Sequence, residues 1–279
     1  HRRSHKRATS GISCIQGTPF SFCMALFLPL TDSLQNWITR LQKNLALQNN
    51  QSHEFHSSPY VLRSITIQSL DRFSTSRIGF IKLSASITNS NSEWLPGAVF
   101  LRGASVGMMV VLQPNDVPRG SEGEKYVLLT VQPRIAAGGL QFLELPAGMV
   151  DQGTFAGSAA KEIKEELGME IKEEELINLT ELAIPETKGK KGEVEEMPRA
   201  MFPSAGGCDE YIPLFLCEKR IPREQLKEWT GKLTGLRDEG EKITLKLIKL
   251  EDLWWEGARD AKALGAWSLF QGLKQAGKI

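Results

Sequence analysis

The chain has 279 residues, enough to bury a substantial core and to form one large domain or two smaller ones. Its 24% charged and 41% apolar residues are those of an ordinary soluble globular protein, and a formal net charge of +1 implies no general attraction to nucleic acid or to a membrane. Cys14, Cys23, Cys208 and Cys217 lack CxxC spacing and give no zinc signature, so they read as reduced thiols of an intracellular, cytoplasmic protein.

All the histidines lie early, at His1, His5, His53 and His56. From residue 57 onward a Ser-His-Asp or Cys-His centre is therefore excluded, and acid–base work falls to carboxylates, lysine, tyrosine or a metal-bound water. Residues 1–31 carry Arg2, Arg3, Lys6 and Arg7 without one acidic residue, a composition like that of a mitochondrial presequence. A disordered or spurious leader accounts for it as well. The apolar run 20–30, broken by Pro29, is too short to span a bilayer, and no other stretch qualifies.

Residues 31–45 place Leu34, Trp37, Ile38, Leu41 and Leu45 at helical spacing behind a cap candidate, Thr31 or Asp32. Residues 48–58 are polar and read as a linker. Short β-branched runs between 60 and 87 predict a small antiparallel sheet. A second set of strands is predicted at 98–101, 106–112, 126–131 and 140–145, with an exposed loop at 113–125. The last strand runs straight into Pro146-Ala147-Gly148. Further on, 176–184, 211–217 and 243–250 read as strands, and the charged stretch 185–198 as a mobile loop. Residues 250–272 read as one helix whose Trp254, Trp255 and Trp267 pack a core or an interface, and Trp94 and Phe100 are likewise assigned to core packing, with stacking on a base as the alternative. Strands mixed with a few helices, without regular βαβ repetition, give an α+β class with a mixed-sheet sandwich.

The segment from Gly148 to Met169, GMVDQGTFAGSAAKEIKEELGM, carries the chemistry. On a helix Glu162, Glu165 and Glu166 fall within about 100° of arc, while Ala156, Ala159, Ala160, Ile163 and Leu167 form an adjoining apolar stripe. Like charges so close cost a helix a few tenths of a kcal/mol per pair, roughly, and a bound divalent cation reverses that sign. The alternative is a solvated helix face without metal.

These residues resemble the Nudix box, G-x5-E-x7-R-E-U-x-E-E-x-G-U with U aliphatic. The opening Gly148, the Glu162-Ile163-Lys164-Glu165-Glu166 core, the closing Gly168 and Met169 match together. Two departures stand out. Lys161 occupies the Arg position, and a spacing one residue short puts the first Glu at Thr154 or Gly153, with Asp151 the nearest carboxylate. Lysine cannot reproduce a bidentate guanidinium grip. Leu145-Pro-Ala-Gly148, the run from Pro203 to Glu210 and that from Thr234 to Glu241 are similar to the ADP-sugar and ADP-ribose diphosphatase branch, as are Arg77-Ile-Gly-Phe80 and the run from Pro96 to Arg102.

The resemblance implies a Nudix α/β/α sandwich with a mixed β-sheet over 98–279, preceded by a helix and small antiparallel sheet at 32–97 that forms a homodimer. It implies Mg²⁺ or Mn²⁺ held by Glu162, Glu165, Glu166 and the Ala147 carbonyl, with Glu144 supporting that shell or ending an ordinary strand. Glu210 is the implied general base, or a turn-capping carboxylate. Arg102 and Arg134 are candidate phosphate anchors or surface ion pairs, and Gly206 and Gly207 let substrate phosphate approach or only shape their loop. The implied reaction is hydrolysis of an ADP-sugar, ADP-ribose or ADP-glucose, to AMP and a sugar phosphate, without nucleic-acid or membrane partners. A Nudix enzyme for another nucleoside diphosphate derivative and a non-catalytic nucleotide-binding module are the alternatives.

Overall fold

The computed structural model describes residues 32–74, 78–150, 154–186, 194–229, 231–235 and 242–279. The basic N-terminal segment, Asp151, most of the run from Thr234 to Glu241 and the middle of the charged loop expected at 185–198 lie outside those residues. The described residues divide into two units, one within 32–104, 186–198 and 204–210, the other within 105–185, 199–203 and 211–279.

In the first unit helix α1 (Asp32–Ala46) turns the expected face inward, so that Leu34 is buried and Trp37, Ile38 and Leu41 pack around it. They rest on an antiparallel sheet in which β2 (Ile78–Thr88) pairs with β1 (Val61–Arg72), β3 (Trp94–Leu95) and β4 (Ala98–Leu101). Ile81, Leu83, Ala85 and Ile87 enter the core at alternate positions of β2, the period of a half-buried strand. Strand 98–101, grouped by sequence with the later strands, thus completes the first sheet. The same alternation corrects the packing expected of two aromatics. Leu101 faces the core, which turns Phe100 to the other side, and Trp94 is 70% exposed beside the inward Leu95.

The second unit is built on β5 (Ser105–Pro114), buried along its whole length. It runs parallel to β10 (Leu214–Ile221) and antiparallel to β6 (Tyr126–Arg134) and β8 (Ala147–Met149). β12 (Ile243–Lys249) lies beside β6 and carries β11 (Leu233–Thr234) at the edge. β7 (Gly139–Glu144) also pairs with β6, and β9 (Ile177–Asn178) with β10. A strand with two apolar faces needs cover on both. Val106, Met108, Val110 and Leu112 meet Ala159, Ile163 and Leu167 of the box segment, with Leu226 and Trp229 of α4 (Arg223–Trp229). Met109 and Val111 meet the opposite layer, to which α3 (Leu179–Ala183), α5 (Leu253–Glu256) and α6 (Ala261–Gln275) contribute Leu179, Leu253 and Phe270. The result is the mixed sheet between helical layers that the sequence predicts.

Two local expectations change. The run 176–184 holds a two-residue strand and then the short helix α3, because the Asn178 side chain accepts the Glu181 amide and starts a turn. The helix expected over 250–272 is split into α5 and α6, since Gly257 closes the first and Asp260 caps the second. Trp254 and Trp255 stand 57% and 53% exposed on α5, so they do not fill the core, whereas Trp267 packs against it. Among the described residues no helix is long and apolar enough to cross a membrane.

Candidate active site

Helix α2 (Phe155–Glu162) starts where the Thr154 hydroxyl accepts the Gly157 amide at 2.9 Å, and the same hydroxyl donates to Glu173 at 2.9 Å. The position nearest the box's first glutamate is therefore a helix cap. The helix then widens into a π-type turn, Ile163–Leu167, a feature that recurs at functional sites. Gly168, at φ 68°, ends it in the left-handed conformation that glycine adopts freely.

The three glutamates that helical spacing groups differ in their surroundings. Glu166 is driven inward to 5% exposure. Glu165 stays nearer the surface, 3.7 Å from Lys161. Glu162 lies against the β8 backbone: a Cβ on Gly148 would overlap its carboxyl group, so any larger residue there must push that carboxyl aside. The opening glycine and the first helix glutamate are thus a matched pair.

Glu166 accepts a hydrogen bond from the Ala147 amide. Its Oε2 is buried without any hydrogen-bond partner. Burial, and then the charges of Glu162 and Glu144, raise its pKa to about 8 despite the nearby Arg134 and the Ala147 amide. An orphaned carboxylate oxygen among like charges is the arrangement a cation relieves. Among the described residues no group of three or more His, Cys, Asp or Glu side chains forms a ready-made metal cluster. Mg²⁺ does not need one, because it keeps several waters and takes one or two carboxylates with substrate oxygens. The all-oxygen pair Glu162 and Glu166 fits such an ion.

Behind this pair stands a buried charge chain that sequence reasoning missed. Glu144 ends β7 with both oxygens engaged, Oε1 by Arg134 Nε at 2.6 Å and Oε2 by Lys262 Nζ at 2.9 Å. Lys262 also meets Asp260 Oδ1 at 2.9 Å, and Asp260 Oδ2 accepts the Leu145 amide at 2.9 Å. Burial pulls the Lys262 pKa down, but the charges and hydrogen bonds of Asp260 and Glu144 outweigh it and hold the ammonium above its ordinary value. Asp260, read as helix interior, could have been found as a cap candidate after Gly257. Nothing in the sequence pointed to Lys262. Arg134, for which the sequence leaves both a phosphate contact and an ion pair open, pairs through Nε with Glu144.

Arg102 and Glu210 belong to the first unit, where Arg102 Nη1 lies 3.1 Å from Glu210 Oε1. The loop bearing Glu210 is fixed there by its neighbour Asp209, whose Oδ1 accepts the amides of Arg102 at 2.8 Å and Gly103 at 3.2 Å. The Phe100 amide also donates to the Gly207 carbonyl, and the Asp209 amide to the Phe100 carbonyl. Gly206 and Gly207 do not take positive φ, and a Cβ on either would meet open space. The turn itself therefore does not demand glycine.

The chain is 35% identical over 248 residues to Nudix hydrolase 14, chloroplastic, of Arabidopsis thaliana, a match that covers 88% of this chain and 72% of that protein. It also aligns with the crystal structure of an ADP compounds hydrolase at 18% identity and a TM-score of 0.44, over 78% of this chain and 99% of that one. No protein-family model matches the sequence.

Proposed function

The chain belongs to the Nudix hydrolase family, and from that premise we propose that it hydrolyses the phosphoanhydride bond of an ADP-sugar, ADP-ribose or ADP-glucose, to AMP and a sugar phosphate. The observation that carries the reading is the buried Glu166 with its unpartnered oxygen beside Glu162. A bound Mg²⁺ or Mn²⁺ would neutralise pyrophosphate charge and acidify a water there.

The chain's own groups divide the remaining work. Glu162 and Glu166 would hold the ion, with the Ala147 carbonyl as a further ligand. Glu165, at the rim against Lys161, is a ligand or orients the water. Glu144, paired with Arg134 and Lys262, stands behind the pair. Arg102 and the remaining guanidinium nitrogens of Arg134 are assigned to substrate phosphates, a contact to which arginine's planar fork is suited. Glu210 is assigned as general base, on its place in the Gly206-Gly-Cys-Asp-Glu210 loop. Gly206 and Gly207, which the turn does not require, leave room for substrate. The exposed Trp94 and Phe100 of the first unit fit a homodimer contact, which sedimentation velocity reads directly.

The test is a panel of ADP-ribose, ADP-glucose and non-adenine nucleoside diphosphate sugars with Mg²⁺ or Mn²⁺. AMP release from an ADP-sugar is expected, and Glu166→Gln should abolish it. Release of nucleotides from the other substrates alone moves the assignment to another nucleoside diphosphate derivative. No release at all, from folded protein with either metal, leaves a nucleotide-binding module.

A further inference from the structure

We propose that Lys262 and Asp260, at the start of α6, are positioning residues for the metal-binding pair: they clamp the turn between β7 and β8 so that the first residues of β8 present Ala147 to Glu166 and Gly148 to Glu162. The inference rests on the reading of Glu162 and Glu166 as cation ligands given above.

One ammonium ties two elements together. Lys262 Nζ reaches Glu144 at the end of β7 and Asp260 at the start of α6, both at 2.9 Å. Asp260 in turn grips the Leu145 amide with its second oxygen and caps the helix through the Lys262 amide at 3.0 Å. Leu145 and Pro146, which follow Glu144, are the turn, and Ala147 and Gly148 open β8 directly after it. Ala147 donates to Glu166, and Gly148 lies directly under Glu162. A shift of the turn therefore changes the backbone that both carboxylates rest against.

Energetics argue against a purely stabilising role. Glu144 and Asp260 are 2% and 4% exposed, and Lys262 is nearly as enclosed. Desolvating such charges consumes most of what their attraction returns, so well-packed apolar residues would stabilise the fold as well or better. A buried ion chain that fixes one turn is instead suited to holding ligands to within a fraction of an ångström, the tolerance that metal and catalytic geometry demand.

The experiment measures Mn²⁺ binding to the full chain by electron paramagnetic resonance, without substrate, alongside thermal unfolding and turnover. Lys262→Met should remain folded, bind Mn²⁺ about tenfold or more weakly, and recover turnover at saturating Mn²⁺ with little change in KM for the nucleotide. Should Lys262→Met not fold, Asp260→Asn, which keeps an acceptor for the Leu145 amide but loses the charge, serves for the same comparison. Wild-type Mn²⁺ affinity in a folded variant overturns the proposal, as does a turnover loss that excess Mn²⁺ does not repair. The Mn²⁺ titration needs no hydrolysis, so a wild-type protein that binds Mn²⁺ yet cleaves no nucleotide overturns the functional reading while leaving this one standing.

Discussion

Glu166 couples the site to pH. Its carboxyl keeps its proton to about pH 8 in the folded chain, against an ordinary value of 4.5, because burial and then the charges of Glu162 and Glu144 disfavour the anion. The folded state therefore binds more protons than the unfolded one between those values. Its contribution to stability is complete below about pH 4.5 and is lost progressively up to about pH 8, on the order of a few kcal/mol in all. Calorimetry in EDTA should show an unfolding temperature that declines from this source between pH 5 and 8. Added Mg²⁺ should raise it more at pH 8 than at pH 6, since the ion displaces the proton. Glu166→Gln should flatten the decline; an unchanged slope in that variant would place its origin elsewhere. Gly148 makes a second point at the same scale. Gly148→Ala puts a methyl where the Glu162 carboxyl lies, and that carboxyl, at the end of a flexible side chain, swings aside at little cost to the fold but leaves its place in the site. The expected signature is a loss of Mn²⁺ binding larger than the fall in unfolding temperature accounts for.

Element by element, the box segment departs from a regular helix at the place where chemistry is assigned. Thr154 fixes its start, and Thr154→Ala should cost about 1 kcal/mol through the lost cap, read as a lower denaturant midpoint at unchanged slope. The linked Glu173 contact makes Thr154→Ser, which keeps the hydroxyl, the matched control. The apolar stripe Ala159, Ile163 and Leu167, the strands around it and the closing glycine were legible in the sequence, because periodicity and glycine chemistry act locally. The π-type turn was not. Nor was the burial of Glu166 beside a more exposed Glu165, which depends on how the helix settles on β5. The failure at 176–184 has a local cause that could have been read, the Asn178 cap outweighing an apolar run of strand length. That at 250–272 is similar, with Gly257 and Asp260 marking a break inside an otherwise helical pattern. The Lys262 chain was invisible for a different reason: its partners Glu144 and Leu145 lie more than a hundred residues upstream, and only the tertiary fold joins them.

Across the whole chain, each unit has its own apolar core, one around Leu83 and Leu101, the other on both faces of β5. The polypeptide does not simply pass from the first unit to the second. After β5 to β9 it contributes residues 186–198 to the first unit, returns for 199–203, and contributes 204–210 again before β10. The short segment 204–210 has little apolar surface to bury, so its place depends on directional bonds. Asp209, 7% exposed, supplies the pivotal ones by accepting the Arg102 and Gly103 amides. Asp209→Ala leaves both donors without their acceptor, at roughly 1–3 kcal/mol for each buried group left unpaired, whereas Asp209→Asn retains a carbonyl oxygen for them. In native-state hydrogen exchange, Asp209→Ala should speed exchange about tenfold or more at Arg102, Gly103 and residues 207–209, because each 1.4 kcal/mol of local opening is about a factor of ten. Amides in the middle of β5 and β10 should keep their wild-type protection, since their hydrogen bonds and both covering layers lie within the second unit. Equal acceleration in β5 would mean that Asp209 supports the fold of the whole chain. Acceleration confined to the loop and the end of β4 would mean that the segment bearing Glu210 is held by the first unit as a separate, locally stabilised clasp.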